Sequence, residues 1–111
     1  MSRAFVHPAA AAITLDGLLH ALSDPARRDI VRKILESGTL NCGDACEAGM
    51  APSTVSHHHR VLREAGLIRS ERRGVEVVNS VRYAEVDARF PGLLDVVLNQ
   101  PAANATAPPD G

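Results

Sequence analysis

The sequence predicts a mainly α-helical domain with one small β-hairpin, in the order α-α-α-α-β-β-α, the arrangement of a winged helix-turn-helix. Three observations carry this. Helix start and stop signals recur through the first 66 residues, the apolar period then changes from helical to alternating, and a helical stripe returns before residue 100. At 111 residues there is room for one core. Aromatics make up only 3% of the chain and tryptophan is absent, so that core has to be aliphatic.

Residues 1–12 are small and featureless and are expected to form a flexible arm; residues 13–100 form the domain; "PAANATAPPDG" at 101–111 is expected to be a disordered tail. The first helix is "ITLDGLLHALSDP", with Leu15, Leu18, Leu19 and Leu22 on one stripe. Asp24 is a good N-cap and Pro25 a good first residue for the second, "PARRDIVRKILES", with Ile30, Val31, Ile34 and Leu35 inward and Gly38 as its stop. In "NCGD", Asn41 can cap a short third helix, about Cys42 to Ala48, with Asp44 in its first turn. After Gly49 a fourth starts at Pro52-Ser53 and runs to Ala65, stopped by Gly66.

Two short helices joined by a turn of about four residues make a helix-turn-helix. The next segment, "LIRSERRGVEVVNSVRY", alternates Val75, Val77 and Val81 with polar residues around an "RRG" tip and reads as a hairpin, a wing. Last comes "DARFPGLLDVVLNQ", a helix with Leu93, Leu94, Val97 and Leu98 on one stripe. With Leu15, Leu18 and Leu19 these are more apolar side chains than a small core covers, which points to a homodimer through the first and last helices.

Net charge is −1, so nucleic-acid binding has to be argued from charge distribution. From Thr54 to Arg73, five arginines stand against two glutamates. On the fourth helix Ser53, Ser56, His57 and Arg60 fall on one side and Val55, His59 and Leu62 on the other, with His58 between. The three histidines therefore diverge by about 100° from one to the next and cannot converge on one metal ion. The polar side suits a recognition helix. Ser53, Thr54, Ser56, His57, Arg60 and Arg63 are the candidate DNA contacts, joined by Arg72 and Arg73 on the wing, because short hydroxyls and guanidinia reach phosphates and base edges in the major groove.

"LHALSDPARRDIVRKIL", "STVSHHHRVLREAGLI" and "RSERRG" resemble the ArsR/SmtB family of winged helix-turn-helix repressors, in which a "DPxR" helix start, an "STVSHHLxxLxxAGLV" recognition helix and a basic wing recur. The resemblance covers roughly residues 15–83. It implies a homodimer, double-stranded operator DNA as partner, and release of the DNA when an effector, here unknown, changes the dimer.

Two departures bear on the effector. His59 stands where the family pattern has Leu or Phe, read either as a buried ring bonded through one nitrogen or as a pH-sensitive or thiol-coupled group. "NCGD" replaces the "CVCD" of metal-sensing members, and the family's other frequent site, an Asp-x-His pair with His and Glu on the last helix, has no counterpart in "DARFPGLLDVVLNQ", since no histidine follows His59; neither standard metal site is expected and no cofactor is assigned. Cys42 and Cys46 share a helix face and stay open among packing residues, redox sensors and a soft metal site.

No apolar run approaches the roughly 18 residues that span a bilayer, and a cytoplasmic, non-membrane protein is expected. Enzyme function is not expected, since no Gly-rich loop or acid pair marks a catalytic cleft. The alternative to a DNA-binding repressor is a winged-helix protein-interaction module, which would not need the basic face of the fourth helix.

Overall fold

A computed structural model describes residues 5–38, 40–41 and 49–99. A 3-10 turn at Ala10–Ala12 leads into α1 (Leu15–Leu22) and α2 (Pro25–Ser37). After strand β1 (Leu40–Asn41) come α3 (Pro52–Glu64), the hairpin strands β2 (Ile68–Arg73) and β3 (Glu76–Val81), and two short helices, α4 (Tyr83–Arg89) and α5 (Leu93–Leu98). The helix expected at about 42–48, with Cys42 and Cys46, lies outside the described residues.

Local chemistry accounts for most boundaries. Thr14 caps α1 by accepting the Gly17 N–H at 3.0 Å, and Asp24 caps α2 by accepting the Ala26 N–H at 2.8 Å, with Pro25 supplying the first helical φ. Gly38 ends α2 at φ 84°, a conformation that costs other residues about 1–2 kcal/mol. On α2, Ile30, Val31 and Ile34 are buried as expected, but Leu35 is 38% exposed, because the inward stripe of this helix ends at Ile34 and Leu35 turns past its edge.

Two expectations change in the sheet. It has three strands in the order β1-β3-β2, with Leu40 opposite Asn79 and Asn41 opposite Val78, where a two-stranded hairpin was expected; the helix start that Asn41 was expected to cap lies outside the described residues. The hairpin turn is Gly74-Val75, not "RRG": Arg72 and Arg73 are the last paired residues of β2, and Val75 is 96% exposed at the tip. Gly74, at φ 64°, takes the first of the two turn positions, where the tight reversal needs a positive φ.

The segment after the wing forms two helices where one was expected. In α4 only Val86 is buried, and no side chain caps its start. Gly92, at φ 83°, separates it from α5 and is held by its N–H to Asp87 Oδ1 at 3.0 Å. Tyr83 donates to Asp95 at 2.5 Å across the two helices, and this bond with its neighbouring carboxylates pushes the phenol up to about 12. From α2, Arg32 donates to the Leu98 carbonyl at 2.7 Å, satisfying a group the end of α5 would otherwise leave open.

The core joins α1, α2, α3, the wing base and the last helices through Leu18, Ile30, Val31, Ile34, Leu62, Leu67, Ile68, Val86 and Leu94. Leu18 and Leu94 are fully buried and Leu98 nearly so within one chain. These three expected interface residues are thus already covered. Leu93 and Val97 are half-buried, and Leu15 and Leu19 remain 44% and 46% exposed.

The arm is the other difference. From Phe5 onward the residues expected to be loose lie against the domain: His7 Nε2 accepts the Ser70 N–H at 2.9 Å, and Arg82 donates to the Pro8 carbonyl at 2.8 Å. Arg89 donates to the Ala10 and Ile13 carbonyls. Backbone carbonyls captured by guanidinia fix a segment too small to bury much apolar surface of its own.

Candidate nucleic-acid interface

The faces of α3 divide its side chains by role. Pro52 starts the helix, and Gly66, at φ 87°, lets the chain turn into β2. Ser53, Thr54, Ser56, His57 and Arg60 are exposed and make no hydrogen bond or ion pair with other described residues. Val55 is half-buried, while His58, His59 and Leu62 are buried at 7%, 1% and 0% exposure. The triplet of histidines thus splits into one outward ring and two inward ones.

Each inward ring has a definite tautomer. Arg27, a pure donor, lies 3.3 Å from His58 Nδ1, so that nitrogen accepts. His59 Nδ1 lies 2.8 Å from the Val55 carbonyl and donates to it, which leaves Nε2 as a bare lone pair. Nε2 is the one buried side-chain nitrogen or oxygen among the described residues without a partner. His59 is thus a buried ring bonded through one nitrogen.

Arg27 is the anchor that sequence reading missed. Buried at 7% exposure, it donates from Nε to the Ala21 carbonyl at 2.7 Å, reaches the His20 carbonyl at 3.4 Å, and stands 3.6 Å from Asp24. Asp24, Pro25 and Arg27 therefore act together: the first two start α2, and the third ties the end of α1 to His58 on α3. Buried arginine signals such a network, but exposure cannot be read from one "DPARR" string.

A second polar cluster fixes the wing. Ser70 and Asn79 face each other across β2 and β3, both buried, and the Ser70 hydroxyl donates to Asn79 Oδ1 at 2.5 Å. Arg63, expected on the DNA side, instead donates to Ser70 Oγ at 3.2 Å and lies 4.7 Å over the Phe5 ring. It links α3 to wing and arm. Arg72 and Arg73 are exposed, and Arg73 pairs with Glu71 at 3.1 Å, a surface contact of about 0–1 kcal/mol. Arg82 is buried against Glu85, with Nε 2.7 Å from the carboxylate, and this bond lowers the Glu85 pKa.

Three histidines are held neutral. Burial lowers the pKa of His7, helped by Arg69, Arg82 and Arg63 and opposed by Glu71. Burial, then Arg27 and His57, lower that of His58 against the pull of Asp24. For His59 burial dominates over the Val55 hydrogen bond, with Arg63 and His58 adding to it. Below the unfolded value of about 6.5 the unfolded chain binds more protons than the folded one, so stability is full above pH 7 and falls as pH drops below 6.5. Thermal midpoints between pH 8 and pH 5 should decline on the acid side only, and His59→Leu should flatten that decline. An equal decline in His59→Leu would show that this ring takes no part.

Among the described residues no group of three His, Cys, Asp or Glu side chains could hold a metal ion, and no helix is long and apolar enough to cross a membrane.

The β2–β3 hairpin set against α3, with β1 completing the sheet, has the architecture of a winged helix-turn-helix domain. The family model described as "Bacterial regulatory protein, arsR family" matches residues 24–70. The HTH-type transcriptional regulator NmtR of Mycobacterium tuberculosis is 40% identical over 86 residues, covering 77% of this chain and 68% of that protein. The transcriptional repressor SdpR of Bacillus subtilis is 33% identical over 61 residues, covering 54% and 67%. The crystal structure of the ArsR family transcriptional regulator RHA00566 aligns with TM-score 0.59 at 22% identity, covering 78% of this chain and 98% of that one, a likeness of fold. This chain belongs to the ArsR family. It is a DNA-binding transcriptional regulator and not an enzyme.

Proposed function

We propose that the protein works as a homodimeric repressor that reads a palindromic operator through Ser53, Thr54, Ser56, His57 and Arg60, grips phosphates with Arg72 and Arg73, and is released by an effector. One observation carries the reading of the site: the exposed polar side chains of α3 from Ser53 to Arg60 make no hydrogen bond or ion pair with other described residues, whereas His58 and His59 are buried and Arg63 is bonded to Ser70. Donors that bond to no other described residue suit an external ligand rich in acceptors. Arg63 enters as the residue that positions the wing.

Operator selected from random duplexes provides the test. Arg60→Ala should cost about 1–3 kcal/mol and relax preference at one base position in each half-site. Arg73→Ala should weaken all sequences alike and reduce the salt slope by about one. A variant with Ser56, His57 and Arg60 all changed to Ala that binds the operator normally would exclude this face.

The dimer reading draws on Leu15 and Leu19, one turn apart on α1, and on Val96 of α5, 63% exposed. Leu93 and Val97 flank it as half-buried members. Leu19→Glu should give monomers by analytical ultracentrifugation without unfolding the chain and should abolish binding to paired half-sites about one helical turn apart. A Leu19→Glu protein that stays dimeric would place the interface elsewhere.

A further inference from the structure

Beside the recognition helix, the docked arm borders an open groove of about 720 Å³. One wall is Phe5, Val6, His7 and Pro8; the other is Arg60, Arg63 and Glu64 from the last two turns of α3. The volume falls in the range of small-molecule sites. Val6 is 85% exposed and Phe5 half-buried, so the arm presents apolar surface to the groove that nothing else among the described residues covers.

We propose that this groove binds a small aromatic monocarboxylate, which acts as the effector. Charge and shape select that class. Arg60 brings a guanidinium without hydrogen bond or ion pair among the described residues, and a guanidinium fork matches a carboxylate in two parallel bonds. Phe5, with Arg63 over one face of its ring, lines the groove together with Val6 and Pro8, and this aromatic and apolar lining suits a ligand that carries a ring. With Glu64 on the same rim, Arg60 and Arg63 leave one net positive charge in the groove, which a monoanion balances better than a phosphate or a dicarboxylate.

This inference rests on the DNA-reading role given to Arg60. A carboxylate paired with Arg60 withdraws that cation from DNA. The arm is also bonded to the wing, through His7 to Ser70 and through the Pro8 carbonyl to Arg82, so a ligand against the arm presses on the wing base. Ligand and operator therefore oppose each other, and reciprocally.

The test titrates the full chain with phenylacetate, followed by amide NMR shifts, against benzyl alcohol, acetate and inorganic phosphate. Phenylacetate should shift Phe5–His7 and Arg60–Glu64 in one saturable step, while benzyl alcohol and acetate bind about tenfold more weakly or worse. Arg60→Gln and, independently, Val6→Asp should each weaken phenylacetate by about tenfold; both sites are exposed, so both proteins should fold. Absence of groove shifts with phenylacetate, or tighter binding of phosphate, would overturn the site and assign the groove to the DNA footprint. Operator affinity, measured by anisotropy, should fall about tenfold at saturating phenylacetate; unchanged affinity would overturn the effector role. If no operator is bound even without ligand, the repressor reading fails, while the groove titration still decides the binding site on its own.

Discussion

Gly66→Ala should destabilise the fold by about 2 to 5 kcal/mol, combining about 1–2 for a side chain in left-handed backbone with about 1–3 for overpacking. The glycine has φ 87°, and a Cβ there would stand 2.5 Å from Cγ1 and 2.6 Å from Cδ1 of Ile13, itself 2% exposed. Ile13 cannot retreat cheaply, since it is packed in the core and its carbonyl is held by Arg89. Urea unfolding followed by circular dichroism would measure the loss. Gly38→Ala is the control: it shares the positive φ but meets nothing within 4 Å, so it should lose only the backbone part, about 1–2 kcal/mol. Equal losses at the two sites would remove Ile13 from the explanation.

Arg27→Met should cost about 2 to 4 kcal/mol and weaken operator binding as well. Methionine fills similar space but leaves the Ala21 carbonyl and His58 Nδ1 without their donor. The His20 carbonyl loses less, because the Ser23 hydroxyl and N–H already reach it at 2.7 and 3.2 Å. Arg27→Lys should recover little, since a single ammonium cannot serve acceptors on α1 and α3 at once. The informative comparison is at a temperature where both variants are fully folded. Operator affinity equal to the parent there would mean that α3 keeps its seat without Arg27, and that the bond to His58 is incidental.

Much of the domain was legible because its signals are local. Asp24-Pro25, Gly38, Gly66 and the alternation through Val77 and Val81 each act within a few residues, so α1, α2, α3 and the hairpin follow from spacing. The helix α4 was not legible, because its start has no capping side chain and only Val86 is buried. Strand β1 was hidden for another reason: two residues carry no period, and only their pairing with β3 makes them a strand. At the site, periodicity separated outward Ser53, Ser56, His57 and Arg60 from inward His59 and Leu62. It failed for Arg63, Arg27 and the arm, whose roles arise from partners 7, 31 and 63 positions away in the chain. The same reason explains Leu18 and Leu94: a helical stripe shows that a side is apolar, not whether the chain's own core or a second copy covers it.

The order β1-β3-β2 leaves β2 as an outer strand of the sheet, and the Ser70 amide on it is taken by His7. An outer strand with open amides is a template for pairing with other chains, so the arm also acts as a guard against self-association. Removing residues 1–9 should therefore do more than weaken the fold: the truncated protein should form strand-paired aggregates at concentrations where the full chain stays dispersed. Protonation of His7, which burial and the neighbouring arginines push to lower pH, would open the same amide without any truncation.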